Sequence, residues 1–128
     1  MTPIQQQFAA LKAVYTAAVL TPLGTGAHLV EIPGYALPAG WNRREATILF
    51  VAPPGYPGAQ PDCFWVDAAG LRLANGATPK ASNDASPIPG VSGRSTTWFS
   101  WHLQNWNPNN DSLLTYLNVI TQRLYPPR

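Results

Sequence analysis

Charge is scarce in this chain: 11% of its 128 residues are Asp, Glu, Lys or Arg, against about 25% in an ordinary globular protein. A surface this poor in charge is either hidden in part against partners or solvated by Asn, Gln, Ser and Thr instead. The basic residues Lys12, Arg43, Arg44, Arg72, Lys80, Arg94, Arg123 and Arg128 are scattered rather than striped, and the net charge is only +2. That excludes the electrostatic footprint of a nucleic-acid-binding protein. Cysteine is nearly absent too. Cys63 stands alone, so no intramolecular disulfide and no Cys-based zinc cluster can form, and a reducing cytoplasm suits the chain. Two histidines without a paired carboxylate cluster do not make a metal site, and there is no phosphate-cradling glycine loop or Gly-x-Ser-x-Gly elbow, so no metal and no cofactor is expected. No run reaches the roughly 18 apolar residues that a membrane helix needs. The apolar stretch Phe8 to Leu20 lacks a basic leader and carries Lys12 in its middle, unlike a signal peptide. The expectation is a soluble, cytoplasmic protein, one domain over residues 1–128, with a single real core.

Proline and glycine, by contrast, are plentiful at 14 and 10 residues, which predicts long ordered loops. The stretch Ala52 to Trp65 organises the rest. Pro53, Pro54, Pro57 and Pro61 each fix φ near −65° and remove a backbone donor, so the segment is neither helix interior nor central strand. It is flanked by the β-branched and aromatic runs Ala46–Val51 and Cys63–Val66, giving strand, rigid proline turn, strand. Upstream, Thr2 caps a helix with Pro3 in its first turn and Ile4, Phe8, Leu11, Tyr15 and Val19 on one stripe, extending from Pro3 to about Ala18. The cluster Thr21 to Gly26 reads as the turn that stops it. Ala27–Ile32 reads as a first strand broken by Pro33-Gly34, Tyr35–Trp41 as a loop with aromatic anchors, and Asn42–Glu45 as a solvated turn. Between Asp67 and Thr97 there is little periodicity, only Ala69–Leu73 as a short strand or turn, and a loop of this length is usually functional or mobile. Asp111 then caps a helix whose buried face is Leu113, Leu114, Leu117, Ile120 and Leu124, stopped at Tyr125-Pro126-Pro127. The fold class is α+β, an antiparallel meander of three or four short strands between two terminal helices.

The residues Tyr56-Pro57-Gly58-Ala59-Gln60-Pro61 resemble the Tyr-Pro-x-x-x-Pro turn of ubiquitin-conjugating enzymes, where it joins the second and third strands. In that family a Trp-x-Pro later leads into a helix, as Trp106-Asn107-Pro108 does here. The resemblance runs through nearly the whole chain in order and is strongest to bacterial branches found beside ubiquitin-like, activating-enzyme and peptidase genes, a setting associated with antiphage defence. It implies a UBC-like fold, acyl transfer as the chemistry, and a ubiquitin-like protein and an activating enzyme as partners, with no nucleic acid and no membrane.

The same resemblance says where the site lies and what is missing from it. The family's nucleophile is a Cys a few residues before the Trp-x-Pro, preceded by His-Pro-Asn, and neither occurs here. Counting back from Trp106 lands near Trp98, close to Ser100 and His102. In extended backbone residues two apart point to one side, and a Ser hydroxyl beside an imidazole base can accept an acyl group as an oxyester. Ser100 and His102 are therefore the candidate catalytic residues. The bland alternative makes Trp98, Trp101 and Trp106 packing anchors, Ser100 a backbone partner and His102 a structural histidine. Asn75 and Asn105 are candidate oxyanion or groove residues, although an Asn before Gly76 is commonly a turn residue. Cys63, beside Phe64 and Trp65 in an expected strand, reads as an inert core thiol first and as a nucleophile second, because desolvation disfavours thiolate. Asp62 reads as a turn cap, and His28 has no evident partner. A catalytically inactive scaffold of the same fold is the alternative function.

Overall fold

A computed structural model describes residues 1–128. In chain order the elements are α1 (Pro3–Val14), β1 (Val19–Leu23), β2 (Ala27–Ala36), β3 (Glu45–Ala52), β4 (Phe64–Asp67), β5 (Ser82–Asn83), β6 (Thr96–Phe99) and α2 (Leu113–Leu124). The strands form one antiparallel sheet in the order β1-β2-β3-β4-β6-β5. The architecture is α+β with a helix near each end of the chain, as the sequence predicts, but with six strands instead of three or four. No helix is long and apolar enough to cross a membrane.

Both helices start where local chemistry says they should. Thr2 and Gln5 form a reciprocal capping box around Pro3, which satisfies two of the free N–H groups at the helix start. α1 stops at Val14 rather than Ala18, because Val19–Leu23 is drawn into an antiparallel pair with β2, Val19 facing Glu31 and Leu23 facing Ala27. The expected turn at Thr21-Pro22 is thus an edge strand, and the true turn is Gly24-Thr25-Gly26, with Gly26 at φ +88°. Proline is tolerated at Pro22 because an edge strand does not need every N–H.

Pro33-Gly34 does not end β2. The register moves from Ile32 opposite Ile48 to Tyr35 opposite Ala46, so β2 carries one extra residue there, with Gly34 at φ +66°. That is a β-bulge, which bends a strand without terminating it. β2 then reaches Ala36, bringing Tyr35 against α2, where its hydroxyl meets that of Thr121.

The sheet is covered on both faces, and this explains why β3 reads as a nearly continuous apolar run. Ile48 and Phe50 face the main core, which takes Ile4 and Leu11 from α1 and Leu113, Tyr116, Leu117, Ile120 and Leu124 from α2. Leu49, between them, faces the opposite way into a smaller cluster with Leu29, Trp65 and Ile88. Ile88 is 3% exposed although it sits in the middle of the long connection.

That connection is ordered by specific contacts rather than by periodicity. Trp65 Nε1 donates to Ser86 O at 2.8 Å, and Arg94 reaches both Asp67 (2.7 Å) and Glu31 (3.0 Å). Asp84 accepts from Arg72 (2.5 Å), from the Thr97 hydroxyl (2.7 Å) and from Gly70 N (3.3 Å). Two further expectations change here. Ala69–Leu73 forms no strand beyond a single bridge from Leu73 to Trp41. Ser112, not Asp111, caps α2, while Asp111 Oδ2 accepts from Asn107 N at 2.7 Å in the preceding turn.

Candidate active site

The proline turn joins β3 to β4 rather than a second strand to a third, because β1 adds one strand ahead of it. Its last residue, Cys63, lies outside the expected strand with φ +65°. Its N–H donates to Trp101 O at 2.8 Å, so the chain just before β4 stays paired with the chain just after β6. The Tyr116 hydroxyl of α2 lies 2.9 Å from both the Cys63 and Trp101 carbonyl oxygens and holds the two segments against the helix. The segment that follows β6, from Ser100 to Trp106, is thereby fixed at its start.

It is fixed again further on by the turn itself. Gln60 Oε1 accepts from Leu103 N at 3.1 Å, and Trp106 Nε1 donates to Pro57 O at 2.7 Å. The Trp106 ring lies 5.9 Å from that of Tyr56, whose hydroxyl donates to Gln7 on α1; burial pushes the Tyr56 phenol far above its ordinary range. Pro61 is buried, and Tyr56-Pro57 is a cis peptide. Pro108 lies exposed in the turn that leads to α2.

Between this segment and α2 lies an open groove of about 570 Å³, lined by Ser100, Trp101, His102, Leu103, Gln104, Asn105, Val119 and Gln122. Ser100, His102 and Asn105 are all exposed and share it. The Ser100 hydroxyl makes no hydrogen bond to the His102 ring; Ser100 is held by its backbone N–H, which donates to Ala81 O at 2.9 Å. His102 Nδ1 lies 3.7 Å from Asp62 Oδ1, and the ring also borders a second hollow with Gln60 and Asp62. Asn75 is elsewhere, lining a separate hollow with Gly40 and Pro127. Its Oδ1 accepts from Ala77 N at 3.0 Å, which is the short-range bond of a turn asparagine.

Cys63 is half-buried, with its sulfur 3.6 Å from Asp62 Oδ1. Burial pushes the thiol up, opposed by a hydrogen bond from the Trp101 backbone side and reinforced by the Asp62 carboxylate. A thiol raised in this way is a poor nucleophile at neutral pH.

Arg123 was legible in the sequence only as one more scattered charge. It is 2% exposed, with its guanidinium 4.9 Å from the Phe99 ring centre and 5.6 Å from that of Trp101. Its Nη2 donates to Lys80 O at 2.6 Å, and Nη1 has no partner. Burial, with Arg128 nearby, pushes the guanidinium down to about 10, so it stays charged at neutral pH. Arg128 lies 5.7 Å from the Trp101 ring centre. The indole that lines the groove is therefore held by two cations, and the burial of Arg123 against Phe99, Trp101 and Lys80 O is a tertiary fact that charge spacing does not reveal.

What decides the class is the way Trp106 closes on the proline turn. Trp106, on the segment ahead of α2, clamps the β3–β4 connection, and an open groove lies between that segment and α2, the arrangement of an E2-like α+β domain. Residues 15–126 match the family model described as Prokaryotic E2 family E, and the chain belongs to that family. No curated protein and no solved structure matches it. Membership carries a role connected with ubiquitin-like conjugation, with ubiquitin-like proteins and activating enzymes as the general partners.

Proposed function

We propose that this protein accepts the C-terminal acyl group of a ubiquitin-like modifier from an activating enzyme on Ser100 Oγ and passes it to a target amine. The observation that carries this reading is the shared groove: Ser100, His102 and Asn105 line one solvent-open cleft directly after β6, in the segment where the family resemblance expects the acceptor. His102 takes the Ser100 proton as the oxygen attacks the activated carbonyl. A C–O bond forms, the bond to the activating enzyme's leaving group breaks, and that group departs with the proton. In the second half a target amine attacks the ester, a C–N bond forms as the ester C–O bond breaks, and the proton lost by the amine passes through His102 to Ser100 Oγ. Asn105, which lines the same groove, donates its side-chain amide to the developing oxyanion.

The test is the intact mass of the protein after incubation with a ubiquitin-like modifier, its activating enzyme and ATP. An adduct of one modifier is expected, resistant to thiol reductants and cleaved by hydroxide. Ser100→Ala abolishes it and Cys63→Ala leaves it. The opposite pattern moves the chemistry to Cys63.

A second reading, a docking platform without catalysis, is favoured by two observations: no hydrogen bond joins the Ser100 hydroxyl to His102, and counting back from Trp106 to the family's nucleophile lands near Trp98, which cannot accept an acyl group. It predicts no adduct in any variant and unchanged modifier affinity in Ser100→Ala and His102→Ala.

A further inference from the structure

The proline turn addresses the groove segment at three points. Pro57 O takes the Trp106 indole, Gln60 takes the Leu103 backbone, and Asp62 faces His102. The first two are backbone-directed bonds that fix where the segment lies. The third falls on a ring nitrogen, and therefore acts on chemistry rather than on chain path.

We propose that Asp62 is a positioning residue for His102: it holds the proton on Nδ1 and so leaves Nε2 as the bare nitrogen that serves the groove. This rests on the reading of Ser100 as acceptor. The pair stands at 3.7 Å, with the His102 side chain 52% and the Asp62 side chain 74% exposed. That is longer than a hydrogen bond, but base–orienter pairs commonly stand loose before substrate arrives and tighten in the complex.

Asp62 is well placed to close that gap. The buried Pro61 precedes it, and the Cys63 N–H bond to Trp101 O follows it, so its Cα is held from both sides while its carboxylate stays free to swing. Which nitrogen of a histidine keeps the proton is set by the hydrogen bond the other one makes or lacks. His102 borders two hollows, one with Asp62 and Gln60 and one with Ser100 and Asn105. A carboxylate on the Nδ1 side therefore separates the ring's two tasks. Asp62 is the one charged group paired with the ring. The same Asp62 oxygen is approached by the Cys63 thiol, a weak donor that yields to an imidazole N–H.

The test reads the ring directly. In His28→Gln protein, which keeps one imidazole, the ¹⁵N shifts of neutral His102 are recorded at pH 8. The Nδ1–H form is expected to dominate. Asp62→Ala should return the ring mainly to the Nε2–H form and slow adduct formation at least about tenfold with modifier affinity unchanged, while Asp62→Glu restores both. A ring already in the Nε2–H form, or one indifferent to Asp62→Ala, overturns the proposal. A ring that responds to Asp62 in a protein that forms no adduct supports the positioning and refutes the acyl-transfer reading instead.

Discussion

Asp84 offers the sharpest quantitative test, because one carboxylate organises the connection that leads into β6. It accepts from Arg72 at 2.5 Å, from the hydroxyl of the fully buried Thr97 at 2.7 Å and from Gly70 N at 3.3 Å. The hydrogen bond from Arg72 is the main cause that brings the Asp84 carboxyl down to about 2 from 3.8, with Thr97 and Gly70 adding to it and burial opposing. Asp84→Ala strands the Thr97 hydroxyl, which costs about 1 kcal/mol. It also removes the charged acceptor, worth about 1 kcal/mol once solvent screening is allowed for at so exposed a position. Gly70 N loses little, since it donates to Thr97 Oγ1 as well at 3.1 Å. The expected loss at pH 7 is thus about 2 kcal/mol. Because the folded-state carboxyl is depressed, its charged contribution is complete above the unfolded value and is lost as pH falls towards 2. Urea unfolding followed by tryptophan fluorescence should show the gap between wild type and Asp84→Ala narrowing by about half between pH 5 and pH 2. A gap below about 0.5 kcal/mol at pH 7, or one that stays constant as the pH falls, refutes the reasoning.

Ile88→Ala should cost about 2–4 kcal/mol in the same unfolding assay, because it empties a site that Leu29, Leu49 and Trp65 line on the outer face of the sheet. Arg123→Met should change stability by less than about 1 kcal/mol, since it removes a desolvated charge with an unpaired Nη1 while keeping the volume between Phe99 and Trp101. Arg123→Ala should cost clearly more, and equal losses for the two would show that the guanidinium itself is what the site needs.

Much of the fold is written in local chemistry. The Thr2-Pro3 start of α1, the apolar stripe of α2 and the strand–proline turn–strand unit all follow from spacing and from proline's missing donor. What failed were places where pairing overrode propensity. Pro22 reads as a turn residue, yet β2 offers β1 a partner along its whole length, and an edge position removes the objection to proline. Pro33-Gly34 reads as a strand end, yet Tyr35 and Ala36 keep their partners on β3 by way of one bulged residue. Ile88 carries no periodic signal at all, since a lone apolar residue among prolines becomes core only when the chain folds back over Leu49. At the site, the meeting of Ser100, His102 and Asn105 in one groove is readable as nearness in sequence. The Asp62–His102 approach is not, because it depends on which strands β4 and β6 have as neighbours.

Low charge gives this molecule little electrostatic repulsion between copies, and the two rims of its sheet compensate in different ways. β1 carries Pro22, whose missing donor interrupts any row that an incoming strand would need, and β5 is only two residues long, Ser82–Asn83. One rim is interrupted and the other is too short, so neither offers a continuous row to a neighbour's backbone. The edge strand that reads as a turn in the sequence thus doubles as a guard against edge-to-edge sheet growth.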